Sequence, residues 1–259
     1  MIKIVDFSKY SSVKIGDKIP LKIFNSVDEL DSNYYIIGGA NNLLVSPDCK
    51  TELALLSNRF NYIKIVDNCL IIGAKTPSGR VLSFTKRANI GGFEFLAKLP
   101  GTIGGIIAMN GGVKEYEIFN NLISISTNQG IFSKKEINFG YRYANIQGII
   151  YEAKFQIHSG FNQILLNQLL NLRKNQPKEP SFGSCFKNPK DNFAGKLIEK
   201  VKLKGYKIGN VGFSNIHANF LVNFGGGTFD DTIKLIDKAK ERVFTEFGIK
   251  LQEEVKIIL

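Results

Sequence analysis

The sequence predicts an α+β protein of two parts, with a boundary near residues 158–162. Up to about residue 157 the apolar runs are short, rich in β-branched residues and separated by glycine or Asp-Asn turns, which indicates strands. From Asn162 onward most apolar residues recur at helical spacing. The length of 259 residues suits one large domain or two smaller ones, and it is ample for a sizeable core.

Short strands are predicted at the start of the first part. Residues 34–37 and 43–45 are apolar and flank the turn Gly-Gly-Ala-Asn-Asn at 38–42, which predicts strand, tight turn and strand. Residues 62–72 predict a hairpin, because the central Asp67-Asn68 tolerates the positive φ that a two-residue turn requires.

The rest of the first part is predicted to hold one helix and three more strands. Ser78 is the expected N-cap of a helix that ends at Gly91-Gly92. A glycine-rich segment follows at 99–112. The further strands are predicted at 122–126, 131–132 and 149–157.

The second part is predicted to contain three helices and two strands. Thr228 begins a capping box, Thr-Phe-Asp-Asp, for a helix that ends at Gly248. The other elements are helices at 162–174 and 193–201 and strands at 218–223 and 249–258. Alternation in the terminal strand places Leu251, Glu253, Val255 and Ile257 on one face, and Gln252, Glu254 and Lys256 on the other.

The composition is that of an ordinary globular protein, with 44% hydrophobic and 22% charged residues. No run approaches the ~18 consecutive apolar residues of a membrane-spanning helix, and the first twenty residues carry charges in place of a signal core. We therefore expect a cytoplasmic protein. The three cysteines are odd in number and far apart, and there are two histidines, so neither a disulfide framework nor a metal site is expected.

The basic residues are concentrated in one stretch. The formal net charge is +11, and Arg173 to Lys207 holds ten basic and three acidic residues. Three interpretations are open: a solvated lysine-rich surface, a nucleic-acid interface, or a site for a phosphorylated small molecule. Composition does not separate them.

Two glycine loops could hold phosphates. Glycines after a strand let backbone N–H groups approach an anion without interference from Cβ, and residues 38–42 and 101–105 have this character. Neither loop matches the dinucleotide-binding motif G-x-G-x-x-G followed by an acidic residue about twenty positions on, and neither has the lysine of a Walker loop. Ordinary tight turns are the alternative for each loop alone.

Several segments taken together resemble the UDP-N-acetylenolpyruvoylglucosamine reductase (MurB) family. They are IGGANNLLV (37–45), GFEFLAKLPGTIGGIIAMNGG (92–112), YR (141–142), QPKEPSFGSCFKNP (176–189), AGKLIEKVKLKGYKIG (194–209), SNIHANFLVN (214–223) and FGIKLQEEVKII (247–258). The resemblance covers nearly the whole chain. GSCFKNP combined with HANFLVN and a terminal LQEEV is highly specific.

The resemblance implies a fold similar to the vanillyl-alcohol-oxidase (PCMH) type of FAD-binding protein. Residues 1–158 would form the FAD-binding region, made of two α+β subdomains with a boundary near 55–75. Residues 159–259 would form an α+β substrate-binding domain, and its terminal strand 249–258 would return to the active site.

The activity implied by the resemblance belongs to peptidoglycan precursor synthesis. The family reduces UDP-N-acetyl-3-O-(1-carboxyvinyl)-glucosamine to UDP-N-acetylmuramate, using NADPH through non-covalently bound FAD. The expected partners are therefore the UDP-sugar and NADPH, and neither nucleic acid nor a membrane. A monomer is expected.

Arg142, Ser184 and Glu254 match the catalytic set of the family. Hydride from flavin N5 at the carbon β to the carboxylate would leave an enolate, which Arg142 and Glu254 would stabilise from opposite sides. Ser184 would then protonate the α carbon. Without the family pattern, these residues would be interpreted as an ion-pair partner, a turn residue and a solvated strand residue.

The resemblance also assigns binding residues. The expected cofactor contacts are Gly38, Gly39, Ala40, Asn41, Asn42, Leu43, Pro100, Gly101, Thr102, Gly104, Gly105 and Asn110, with the side-chain amides of the two asparagines in the first loop included. Tyr141, Lys187 and Asn188 are the expected substrate contacts, with a place in the core as the alternative for Tyr141. His217 lies beside apolar residues and is interpreted as structural.

The chain departs from the family pattern at a few positions. Asn41, Lys98, Gly111 and Ala144 stand where Ser, Gly, Ala and Ser are common. The interval from Arg142 to Ser184 is short for members with a tyrosine loop over the substrate, so the chain resembles the class without that loop.

Two alternatives to this activity stay open. One is another FAD-dependent oxidoreductase of the same fold. The other is a nucleic-acid-binding protein that uses the basic stretch 173–207, but stacking residues are sparse there, which argues against it.

Overall fold

The structure is a computed structural model that describes residues 1–172 and 174–259. Its strands are β1 (Ile2–Asp6), β2 (Lys18–Phe24), β3 (Tyr35–Ile36), β4 (Leu43–Val45), β5 (Leu53–Leu56), β6 (Ile63–Val66), β7 (Cys69–Gly73), β8 (Ile90–Gly91), β9 (Gly112–Val113), β10 (Tyr116–Glu117), β11 (Leu122–Thr127), β12 (Gly130–Ser133), β13 (Asn138–Gly140), β14 (Tyr143–Asn145), β15 (Ile150–Gln156), β16 (His158–Ser159), β17 (Ser181–Ser184), β18 (Lys207–Ile208), β19 (Val211–Phe213), β20 (Phe220–Asn223) and β21 (Lys256–Ile258). The helices are α1 (Phe7–Tyr10), α2 (Ser78–Arg87), α3 (Ile103–Ala108), α4 (Gln163–Leu172), α5 (Ala194–Lys200) and α6 (Phe229–Phe247).

The chain divides into two compact units, and each unit is built from separate stretches. Unit 1 comprises residues 1–3, 21–39 and 52–174, and unit 2 comprises residues 4–20, 40–51 and 175–259. This division differs from the single boundary expected near 158–162. Helix α4 belongs to unit 1 because its Leu169 is part of the unit 1 core, and the N–H of Asn162 before it donates to the buried carboxylate of Glu94 at 2.7 Å.

Unit 1 carries two larger sheets. In the first, the end of β2 from Leu21 onward, β5 and β3 pair in parallel, and the second is antiparallel with the order β12-β11-β15-β7-β6. The change from one sheet to the other falls between Leu56 and Ile63. Fully buried aromatic residues fill the core of this unit; Phe93 and Phe155, for example, pack edge to face with ring centroids 5.5 Å apart.

Local sequence signals explain several of these elements. The hairpin β6–β7 turns at Asp67 and Asn68, which have φ of 48° and 54°, so the predicted two-residue turn is confirmed. The helix predicted to begin after Ser78 is also present, but its N-cap is Pro77. Ser78 is the first helical residue, and its hydroxyl donates to the carbonyl of Leu99 at 2.5 Å.

Unit 2 contains an antiparallel sheet of order β17-β20-β19-β18, together with α5 and α6. Thr228 caps α6 by accepting the N–H of Asp231 at 3.1 Å, and Gly248 ends the helix with φ of 67°, as the capping signals predicted. The core combines C-terminal residues such as Phe186 and Leu235 with Val13 from the N-terminal stretch.

The terminal strand is shorter than predicted. Only Lys256–Ile258 forms regular strand, and it pairs in parallel with β4. Residues 252–254 pair instead with the segment after β17, since the N–H of Lys187 donates to Gln252 and the N–H of Glu254 donates to Cys185. This change of partner breaks the expected alternation. Among the described residues, no helix has both the length and the apolar character needed to cross a membrane.

Candidate active site

Arg142 occupies the turn between β13 and β14 in unit 1. Gly140 pairs with Tyr143, so Tyr141 and Arg142 form a two-residue turn. Arg142 has φ of 58°, a left-handed conformation that costs a residue with a Cβ about 1–2 kcal/mol. Such conformations cluster at functional positions, where the surrounding contacts hold them in place.

The guanidinium of Arg142 is held by the 110–117 segment. Nη2 donates to the carbonyl of Gly112 at 3.0 Å, Nη1 donates to the carbonyl of Asn110 at 3.4 Å, and the same Nη1 lies 3.8 Å from Oε1 of Glu117. The Arg142 side chain is 16% exposed. The ring of Tyr141 lies 5.1 Å from the guanidinium carbon and is about half exposed, so the alternative of a core tyrosine is wrong.

Asn110, one of the predicted cofactor contacts, has a buried and fully hydrogen-bonded side chain. Its side chain is fully buried, and its Nδ2 donates both to Oε2 of Glu117 at 2.7 Å and to the carbonyl of Gly140 at 3.1 Å. Its Oδ1 accepts the N–H of Phe119 at 3.4 Å. The side-chain amide is therefore engaged by unit 1 itself, and contact of Asn110 with a cofactor stays a prediction.

Two predicted cofactor segments meet within unit 1. A Cβ added to Gly38 would lie 2.7 Å from Oγ1 of Thr102 and 3.7 Å from Cα of Gly105. Only glycine therefore allows the two segments to approach this closely. Thr102 caps α3 by accepting the N–H of Gly105 at 3.4 Å. The segments thus form a close cradle of backbone and hydroxyl groups without intervening side chains, which fits a phosphate-bearing cofactor.

The remainder of the first glycine loop belongs to unit 2. Ala40 has φ of 48°, and the carbonyls of Ala40 and Asn41 accept hydrogen bonds from Ser12. Nδ2 of Asn42 donates to the carbonyl of Glu254 at 2.8 Å, and the carbonyl of Asn42 accepts the N–H of Lys256 at 3.0 Å. Asn42 therefore holds the segment that carries Glu254.

Ser184 and Glu254, two of the predicted catalytic residues, lie on paired segments of unit 2. Ser184 ends β17, and the carbonyl of the next residue, Cys185, accepts the N–H of Glu254 at 2.8 Å. Burial raises the pKa of the Cys185 thiol, and the nearby carboxylates of Glu253 and Glu254 raise it further. The thiol is therefore a neutral core group beside the two predicted catalytic residues.

Asn219 fixes the same segment and was not singled out from the sequence. It is 3% exposed, its Oδ1 accepts the N–H of Phe186 at 3.0 Å, and its Nδ2 donates to the carbonyl of Phe186 at 2.8 Å. Its own carbonyl accepts the N–H of Cys185 at 2.7 Å. The only sequence signal was its place in HANFLVN.

We expect Asn219→Ala to destabilise the protein by about 2–4 kcal/mol, because two buried backbone groups of Phe186 lose their partners. Thermal unfolding of the purified variant measures this. Asn215→Ala, which removes an exposed asparagine from the same loop, is the control and should unfold like wild type. Equal stability of the two variants would contradict the role given to Asn219.

The structure places the remaining predicted residues of unit 2 as follows. Lys187 is half-buried, and Asn188 is exposed, with its Oδ1 accepting the N–H of Ala194 at the start of α5. His217 accepts the N–H of Asn219 at Nδ1, and its ring packs edge to face on Phe220. Burial lowers the pKa of His217, which supports the structural interpretation of this residue.

Comparison with known proteins decides the family. A family model described as "UDP-N-acetylenolpyruvoylglucosamine reductase, C-terminal domain" matches residues 176–258. A UDP-N-acetylenolpyruvoylglucosamine reductase of Helicobacter hepaticus is 47% identical over 98% of both chains. One of Campylobacter jejuni is 45% identical over 98% of this chain and all of the relative.

The chain belongs to the UDP-N-acetylenolpyruvoylglucosamine reductase family. The resemblance drawn from the sequence is thus confirmed.

The fold of this reductase agrees with that of a solved family member. The crystal structure of the MurB reductase from Thermus caldophilus superposes with a TM-score of 0.89, covers 100% of this chain and 99% of its own, and is 26% identical. The α+β class, with an FAD-type domain and a C-terminal domain, is therefore confirmed. The described part of the reductase contains no group of three His, Cys, Asp or Glu side chains that could bind a metal.

An open cleft of about 860 Å³ in unit 2 of the reductase lies outside these residues. Its lining includes Lys14, Asp17, Glu179 and Asn223, and none of the predicted site residues. Asn223 donates to the carbonyls of Val13 and Lys14 and accepts two glycine N–H groups. Its side-chain amide therefore already has hydrogen-bond partners within the protein. The cleft therefore provides no support for the predicted site residues.

Proposed function

We propose that this reductase converts UDP-N-acetyl-3-O-(1-carboxyvinyl)-glucosamine to UDP-N-acetylmuramate in peptidoglycan precursor synthesis, with NADPH as reductant and FAD as bound cofactor. The family supplies the reaction. The observation in this structure that supports the proposal is the pairing of the Ser184 segment with the Glu254 segment, because it would hold the two proposed catalytic groups on one backbone frame.

FAD would be held by the predicted glycine segments. In unit 1 the close approach of Gly38 to Thr102 and Gly105 supports a pyrophosphate site, because it exposes backbone groups and one hydroxyl without bulky side chains. The other predicted contacts of the first loop, Ala40 to Leu43, belong to unit 2. When bound, the flavin supplies the hydride that adds to the enolpyruvyl group.

Arg142 would bind the substrate carboxylate and stabilise the negative charge that develops on it. A guanidinium offers parallel N–H donors that match two carboxylate oxygens, and the low exposure of this side chain strengthens the interaction. The ring of Tyr141 would pack beside the same group of the substrate. Both roles belong to unit 1.

In unit 2, Ser184 would hold the proton that is transferred from Oγ to the α carbon. An alcohol is a weak acid, but the enolate it protonates is strongly basic, and fixed geometry offsets much of the mismatch. Glu254 would interact with the developing carboxylate oxygens. Cys185, Asn219 and Asn42 hold the backbone of both residues, so the chain itself fixes their positions.

Lys187 and Asn188 would contact the diphosphate, and the basic stretch around them would attract this anionic substrate. Several lysines of the stretch are exposed and engaged elsewhere, as in the Lys204–Glu199 pair at 2.9 Å. These lysines fit a solvated surface. We propose a cytoplasmic monomer that acts on small molecules and does not bind nucleic acid.

The purified protein should be yellow and should oxidise NADPH only when the enolpyruvyl substrate is present. UDP-N-acetylglucosamine, which lacks the enolpyruvyl group, is the matched control and should support no oxidation. A colourless protein that cannot be reconstituted with FAD would contradict the proposal. Substrate-dependent hydrogen peroxide without NADPH consumption would instead indicate another flavin-dependent oxidoreductase.

A further inference from the structure

Glu117 lies beside Arg142 and has no role in the reaction as proposed above. Its carboxylate is anchored through both oxygens. Oε2 accepts Nδ2 of Asn110 at 2.7 Å, and Oε1 lies 3.8 Å from Nη1 of Arg142. The first contact is a short hydrogen bond, and the second exceeds hydrogen-bond distance and acts through charge.

Asn110 fixes the position of this carboxylate. The side chain of Asn110 is fully buried, and its other amide hydrogen donates to the carbonyl of Gly140, two residues before Arg142. One asparagine thus holds both the carboxylate of Glu117 and the start of the turn that carries Arg142.

The backbone of the same segment supplies further acceptors for the arginine. Glu117 pairs directly with Gly112 in the β9–β10 hairpin, and the carbonyl of Gly112 accepts Nη2 of Arg142 at 3.0 Å. A Cβ at Gly112 would collide with the carbonyl of Tyr116, so the hairpin is tightly closed. Two paired residues therefore interact with the two Nη atoms, Gly112 through a hydrogen bond and Glu117 through charge.

We propose that Glu117, held by Asn110, is a positioning residue that fixes the guanidinium plane of Arg142 for the substrate carboxylate. This rests on the proposed function. An arginine side chain has many rotamers, and a displacement of about 1 Å at a reacting group can reduce the rate about a hundredfold. Glu117 also opposes part of the positive charge of Arg142, so its removal does not weaken attraction of the anionic substrate.

A purely structural role is the competing explanation, and the two roles predict different kinetics. Loss of a structural residue lowers the melting temperature or the flavin content, while kcat per bound flavin stays unchanged. Loss of a positioning residue lowers kcat per bound flavin, while KM for the UDP-sugar stays unchanged or falls.

The test uses the holoenzyme with Glu117→Gln, which keeps the shape and an acceptor for Asn110 but removes the charge. We expect kcat to fall about tenfold with KM unchanged or lower. Glu115→Gln removes an exposed charge from the same hairpin and should behave like wild type. In an Arg142→Lys background, Glu117→Gln should cause no further loss, because its effect passes through Arg142.

An unchanged kcat in Glu117→Gln, or a loss that multiplies with that of Arg142→Lys, would overturn the proposal. If Glu117→Gln does not fold, Glu117→Asp keeps the charge but shortens the side chain, and the same cycle applies.

NMR gives a readout that is independent of turnover. The guanidinium hydrogens of Arg142 should rotate slowly in wild type and faster in Glu117→Gln, and equal rotation rates would also overturn the proposal. An inactive wild-type holoenzyme would count against the proposed function, whereas the NMR comparison still decides this inference.

Discussion

Replacing Ser184 with alanine should reduce formation of UDP-N-acetylmuramate by about 10²–10⁴-fold, the usual contribution of a general acid. Reduction of the bound flavin by NADPH should be nearly unchanged, because the proposed role of the hydroxyl is confined to protonation of the substrate. Anaerobic stopped-flow measurement of flavin absorbance follows the first half-reaction, and chromatography of the product follows the second.

Ser181→Ala is the matched control, since it removes a second half-buried serine from the same strand. This variant should retain both half-reactions. Ser184→Cys should recover part of the activity, because a thiol is a stronger acid than an alcohol. Equal losses in both half-reactions of Ser184→Ala would refute the proton-donor role.

Replacing Arg142 with lysine should lower kcat about 10²–10³-fold while FAD stays bound. Lysine keeps the positive charge but loses the planar fork that matches two carboxylate oxygens, so the loss of kcat measures the geometry of the fork and not the charge. Steady-state kinetics on protein of known flavin content gives the result. Lysine carries a Cβ like arginine, so the left-handed turn at this position is equally strained in both proteins.

The control for this substitution is Arg80→Lys. Arg80 is an exposed arginine of α2 that donates to the carbonyl and side chain of Asn61. It lies in the same unit and should tolerate the change without loss of turnover. If Arg142→Lys has the same kcat as Arg80→Lys, Arg142 does not act through its fork.

Local signals predicted those elements whose ends are set by neighbouring residues. The Asp67-Asn68 turn and the Thr228 and Gly248 caps of α6 are examples, because each acts within a few residues of the chain. The β13–β14 hairpin was missed, because its turn is Tyr-Arg and lacks the usual glycine or asparagine. Its positive φ is sustained by tertiary contacts that local sequence does not encode.

The candidate site was predictable in its motif residues and not in the contacts that hold them. Ser184 and Glu254 follow from the family segments, and the structure places those segments side by side. The side chain of Asn219 binds Phe186, and that of Glu117 lies beside Arg142. Both partners are distant in sequence, so the spacing of residues within the motifs did not reveal these contacts. Asn42 was expected at the cofactor, and its side chain holds Glu254.

Pairing of β4 with β21 has a consequence for how the protein is made. Leu43 pairs with Lys256, so the strand after the first glycine loop lacks its partner until nearly the whole chain has been synthesised. At about 5–20 residues per second, this delay is on the order of ten seconds or more. During this time the N-terminal stretches of unit 2 cannot complete their core, and apolar residues such as Leu44 stay exposed to solvent. Nascent chains should therefore become resistant to protease in unit 1 before they do so in unit 2.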